Sequence, residues 1–141
     1  MYENYSRQSL PTKKYRELLG SAICVFNSNN AFIIENILKR DLSDEYSWHN
    51  LIDLTSGKLK KPIEKIISSN TEASIANLFE EIINKRNRIV HSFRITNKEN
   101  EQSLATKERN GKQFEITEEY LLEFIKLNDE LSSVLHDFRG Y

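Results

Sequence analysis

Apolar side chains recur every third or fourth position along three stretches of this chain, the repeat of a helix face rather than a strand. Tyr15, Leu18, Leu19, Ala22, Ile23 and Phe26 form the first stripe, and Ile33, Ile34, Ile37 and Leu38 resume it after the polar Ser28-Asn29-Asn30. That triplet is either a break or the middle of one helix from Pro11-Thr12 to about Arg40, because the stripe stays in phase across it. Ile75, Leu78, Phe79, Ile82, Ile83, Ile89, Val90 and Phe93 form the second stripe, capped by Asn70 or Thr71. It predicts a helix of about 24 residues, roughly 36 Å long. Leu121, Phe124, Leu131, Leu135 and Phe138 follow a seven-residue repeat behind Thr117, a suitable N-cap.

The intervening segments are shorter. Ser43, followed by Asp44 and Glu45, has the composition of a helix start, Tyr46, Trp48, Leu51, Ile52 and Leu54 supply apolar content, and Gly57 is a stop. Pro62 opens a short helix through Ile63, Ile66 and Ile67. Between Leu104–Glu108 and Gln113–Ile116, Asn110-Gly111 predicts a two-residue hairpin turn with both central residues at positive φ. The expected fold is all-α: a bundle of four or five helices with a small β-hairpin before the last helix. It forms one domain over residues 1–141, with an amino-terminal arm over 1–10 and a loop and hairpin over about 95–116.

At 141 residues the chain can bury a core without a staple, and its 38% hydrophobic residues with only 4 Gly and 2 Pro exclude a disordered or fibrous chain. No apolar run approaches a membrane span, and the first residues lack a signal peptide's regions. The lone Cys24 suits core packing in a reducing, cytoplasmic setting. The acidic residues show no two-metal spacing and no glycine-rich phosphate loop is present, so neither metal nor cofactor is expected. Net charge is -1, but its distribution is uneven. Residues 85–112 hold eight basic side chains against three acidic, whereas 113–141 hold seven acidic against two basic. Such asymmetry makes either a local anion-binding surface or two solvated faces that partly pair.

Lys85-Arg86-Asn87-Arg88-Ile89-Val90-His91 carries the chemistry. Arg86 falls near the centre of the apolar stripe, and a guanidinium buried there needs a carboxylate such as Glu35 or Glu123, an anionic ligand, or an interface. Asn84, Asn87 and His91 form a polar strip beside it. This stretch resembles the signature of the HEPN superfamily (higher eukaryotes and prokaryotes nucleotide-binding domains): Arg, a polar residue, then His after four to six intervening residues. The resemblance implies an all-α bundle and, in active members, a metal-independent endoribonuclease whose two motifs meet across a homodimer cleft. Arg86 would hold the scissile phosphate, His91 would be the general acid or base toward the 2′-hydroxyl or leaving oxygen, and Asn87 would orient either. The chemistry suits the residues, since imidazole titrates near neutrality and guanidinium stabilises the charge of a phosphorane. RNA follows as substrate because the nucleophile is a 2′-hydroxyl.

The resemblance also implies a prokaryotic toxin or antiviral-defence effector, with an antitoxin or other partner protein. In the branch with a nucleotidyltransferase antitoxin, a modifiable Tyr follows the His after one residue; Phe93 stands there and has no hydroxyl. The alternative is a non-catalytic module that binds a nucleotide, RNA or a partner protein in the same cleft. Arg88 and Arg94 are candidates for RNA phosphate contact, or are simply solvated charges. Trp48-His49 reads as a half-buried structural pair rather than a base-stacking platform, and His136 as a favourable cation at a helix end.

Overall fold

The computed structural model describes residues 2–40, 47, 62 and 74–139. Helix α1 spans Lys13–Arg40 without interruption. Thr12 caps it, its Oγ1 accepting from the Tyr15 amide at 3.2 Å. The polar triplet does not break the helix, because Asn29 turns inward and donates to the carbonyl and side-chain oxygens of Asn128 at 2.7 and 3.0 Å. Helix α2 spans Ser74–Val90 and helix α3 spans Glu118–Arg139. Thr117 Oγ1 accepts from the Tyr120 amide at 3.1 Å, and Glu118 and Glu119 occupy the first turn of α3, where carboxylates meet the positive helix end.

Three strands follow α2 and precede α3: β1 Ser92–Thr96, β2 Gln102–Lys107 and β3 Gln113–Ile116, antiparallel in the order β1-β2-β3. The expectation of an all-α bundle of four or five helices is therefore corrected. The described residues form three helices and a three-stranded antiparallel sheet, an α+β arrangement. Apart from Ser47 and Pro62, the helices expected over Ser43–Gly57 and from Pro62, and the caps at Asn70 or Thr71, lie outside the described residues.

The strand absent from the sequence reading is β1. The α2 stripe was expected to run through Phe93, but the helix ends at Val90 and Phe93 pairs with Ala105 in the sheet. Ser92 Oγ donates to the Ile89 carbonyl at 2.7 Å, satisfying one of the acceptors the helix end leaves open. Ser92-Phe93-Arg94-Ile95-Thr96 is rich in β-branched and aromatic residues, which suit a pleated strand.

Both strand connections use one device. In each, the residue just before the three-residue loop donates its amide to the carbonyl four residues on, and its own carbonyl accepts from the amide three residues on. Asn97, Glu101 and Asn100 play these parts in one loop, Glu108, Lys112 and Gly111 in the other. The third position takes positive φ, 63° at Asn100 and 90° at Gly111. The turn at Asn110-Gly111 is thus a three-residue loop with one positive-φ residue, not the expected two-residue turn with two.

Phe26 lies at the middle of the core, its ring centroid 6.3 Å from both Phe79 of α2 and Phe124 of α3. Ile33, Ile34, Ile37, Ile75, Ile82, Leu121, Leu131 and Leu135 are buried around these rings. The sheet joins this core through Ile116, with Leu104 and Phe114 partly buried against it. Tyr15 locks it to α1: its hydroxyl donates to the Ile116 carbonyl at 2.5 Å and accepts from the Leu104 amide at 3.3 Å. Glu3 and Tyr5 are tied down through Arg16, which meets Glu3 at 2.7 Å and the Tyr5 hydroxyl at 2.8 Å. No described helix is long and apolar enough to cross a membrane.

Candidate functional site

The carboxyl-terminal half of α2 lies between the core and the β2–β3 loop, and its side chains divide accordingly. Arg86 faces inward, its guanidinium carbon 5.0 Å from the centroid of the Phe26 ring. Its Nε is sealed from solvent and meets no hydrogen-bond acceptor. Burial pushes its pKa below the ordinary arginine value, and no carboxylate among the described residues opposes that shift. Neither Glu35 nor Glu123 pairs with it, which leaves the buried-ion-pair reading of Arg86 without a partner among the described residues.

Asn87 and Arg88 face the other way. With Asn84 they form one wall of an open groove of about 410 Å³, and Glu108 and Arg109 from the β2–β3 loop form the other. Arg88 is half-buried and anchored, its Nη1 donating to the Lys107 carbonyl. Lys85, on the adjoining flank, sets its ammonium 4.9 Å from the Tyr120 ring centroid. The Tyr120 phenol is pushed up to about 12, chiefly by burial; Arg88 lowers it, whereas Glu108 and Glu123 raise it further.

His91 is exposed at the joint between α2 and β1, its amide making the last helical bond to the Asn87 carbonyl at 2.9 Å. Four residues turn a helix by about 40° net, so Asn87 and His91 share a flank; five turn it by about 140°, so Arg86 leaves on another side. Within one chain the fold therefore groups Asn87 with Arg88, and places Arg86 and His91 outside their groove. Arg94 is committed elsewhere: on β1, it donates to the Ser9 carbonyl at 3.0 Å and to Gln8 Oε1 at 3.5 Å, holding residues 8 and 9 against the sheet edge.

Two groove residues, Glu108 and Arg109, were not singled out from sequence as site residues. The Asn-Gly signal placed them at a hairpin tip, but nothing in the sequence says the tip leans over α2. Phe26, in the core rather than the groove, was also not singled out for the site: its apolar position was evident, its role beneath Arg86 was not. His136, expected to act as a helix-end cation, sets its ring 4.7 Å from that of Phe32 in a tilted contact, and Cys24 is exposed rather than part of the core. Trp48 and His49 lie outside the described residues. No family model matches the chain, and no curated protein or solved structure is significantly similar to it.

Proposed function

We propose that this protein is a metal-independent endoribonuclease that acts as a homodimer on cytoplasmic RNA. Arg86 contacts the scissile phosphate, His91 exchanges the proton, and Asn87 orients the imidazole or the phosphate. The observation that carries the proposal is Arg86 itself, a cation held against Phe26 with a sealed, acceptorless Nε and, among the described residues, no carboxylate beside it. A guanidinium kept in that state is short of an anion, and phosphate is the anion its planar fork matches best.

The reaction is a displacement at phosphorus. The 2′-oxygen forms a bond to phosphorus, and the bond to the 5′-oxygen of the next nucleotide breaks. One proton leaves the 2′-hydroxyl and one arrives on the departing oxygen. An imidazole at the surface, open to both substrate and water, can serve in either transfer. The guanidinium neutralises charge that grows on the phosphorane oxygens. Val90 and Phe93, 49% and 43% exposed on either side of His91, give apolar surface for a second copy, which would bring a further motif to the same cleft.

The test is incubation of the parent and His91→Ala with total RNA in EDTA, read on a gel. Cleavage by the parent alone is expected, because His91 is exposed and its loss spares the core. Equal cleavage by both would remove His91 from the reaction. No cleavage by either, with RNA still retained by the parent, would favour the second reading, a binding module using the groove of Asn84, Asn87, Arg88, Glu108 and Arg109.

A further inference from the structure

Glu108 sits oddly in a groove that would hold RNA. It is half-buried, shares the groove with Arg88 and Arg109, and forms an ion pair with neither among the described residues. Its main chain is fixed, the amide donating to the Lys112 carbonyl at 2.8 Å and its carbonyl accepting from the Gly111 amide at 2.9 Å. The hairpin turn thus presents a carboxylate whose acceptor lone pairs are uncommitted among the described residues. Facing it are Asn84 and Asn87, whose side-chain amides carry donors. A groove for phosphate alone would not hold an unpaired carboxylate, which repels that ligand.

A nucleotide whose base offers donors reconciles the two charges. On its Watson–Crick edge guanine presents N1–H and an N2–H side by side, with the O6 acceptor next to them. Adenine and cytosine each present one donor beside an acceptor there, and uracil flanks its single donor with two acceptors. Only guanine offers a carboxylate two parallel donors and an amide an adjoining acceptor. The groove volume of about 410 Å³ lies in the range of sites for ligands of this size.

We infer that this groove is a guanine site. Glu108 accepts from N1–H and N2–H, Asn84 donates to O6, and Arg88 and Arg109 meet the phosphate of the same nucleotide. The inference rests on the proposed action on RNA and deepens it, since it assigns that action a preference for guanosine at one position of a single strand.

The experiment is calorimetric titration of the intact protein with the 5′-monophosphates of guanosine, adenosine, cytidine and uridine, in EDTA. Guanosine monophosphate should bind about tenfold more tightly than the others, as one well-formed bidentate base contact provides. Glu108→Gln should bring it down to the level of adenosine monophosphate, because the amide faces donors with a donor. Asn84→Asp, on the exposed flank of α2, gives a second reading independent of the hairpin, and should weaken guanosine monophosphate more than adenosine monophosphate. Equal affinity for all four nucleotides, or a guanosine preference that survives Glu108→Gln, would overturn the assignment. RNA cleavage without guanosine preference would remove this site and leave the nuclease standing. Guanosine binding without cleavage would keep the site and remove the catalysis.

Discussion

Replacing Arg86 with Met separates a residue kept for folding from one kept for a ligand. In the folded protein the Arg86 Nε is cut off from water and has no acceptor, a loss of about 1–3 kcal/mol for a buried donor. The guanidinium recovers part of this against the Phe26 ring, about 1–2 kcal/mol for a partly desolvated cation over an aromatic face. Met keeps an unbranched apolar stem over the same ring and carries no donor to desolvate. The midpoints of these two ranges differ by about 0.5 kcal/mol, and a Met sulfur beside the ring adds about 0.5 kcal/mol, so Arg86→Met is predicted to be stabilised by about 1 kcal/mol, or roughly 2–4 °C in Tm for a domain of this size. The assay is urea and thermal unfolding of parent and variant, compared at equal m so that midpoints report stability alone. RNA cleavage measured on the same preparations should fall to background as Tm rises. A destabilisation of about 1 kcal/mol or more at unchanged m would refute the reasoning, because the guanidinium would then be serving the fold.

Tyr15→Phe should cost about 2 kcal/mol, since the Ile116 carbonyl and Leu104 amide both lose the hydroxyl that joins them; a urea midpoint within error of the parent would show that the ladder closes over the gap. Tyr120 ties stability to alkaline pH. Its phenol ionises near 10.0 when unfolded and about 12 when folded, so its contribution is intact below pH 10 and falls away as the pH rises toward 12. Urea midpoints across that window should decline less in Tyr120→Phe than in the parent, and the late-titrating phenolate absorbance of the folded parent, to which Tyr15 also contributes because burial raises it too, should shrink in the variant.

The three long helices were readable because each keeps its apolar stripe over several turns, and Thr12 and Thr117 mark two of the starts. Two polar gaps in those stripes were visible but mute. The triplet around Asn29 and the position of Asn128, between Phe124 and Leu131, answer each other across the α1–α3 contact, and no local pattern announces a pairing so distant in sequence. Strand β1 was hidden for two reasons. Phe93 is in phase with the α2 stripe, so the helical repeat masks the change of structure. The loop after β1 also places Asn100 where the second loop places Gly111, and an Asn at positive φ is a fainter signal than an Asn-Gly pair. At the site, Arg86 stood out as a charge in an apolar stripe, and the strip of Asn84, Asn87 and His91 followed from helical spacing. Glu108 and Arg109 depend on where a hairpin tip comes to rest, which is decided by packing through Leu104, Phe114 and Ile116 rather than by nearby sequence.

The contact between α1 and α3 also sets a schedule during synthesis. Helix α1 emerges from the ribosome before the other described elements, with Ala22, Phe26, Ile33, Ile34 and Ile37 on one side, and α3, which covers much of that side, follows only after α2 and the sheet. At ordinary elongation rates, the roughly 100 residues between their starts take about 5–20 s to make. The hydroxyl of Tyr15 waits as long for Ile116. For that interval the nascent chain carries an apolar stripe without its final cover, a state that favours ribosome-associated chaperones and penalises slow translation.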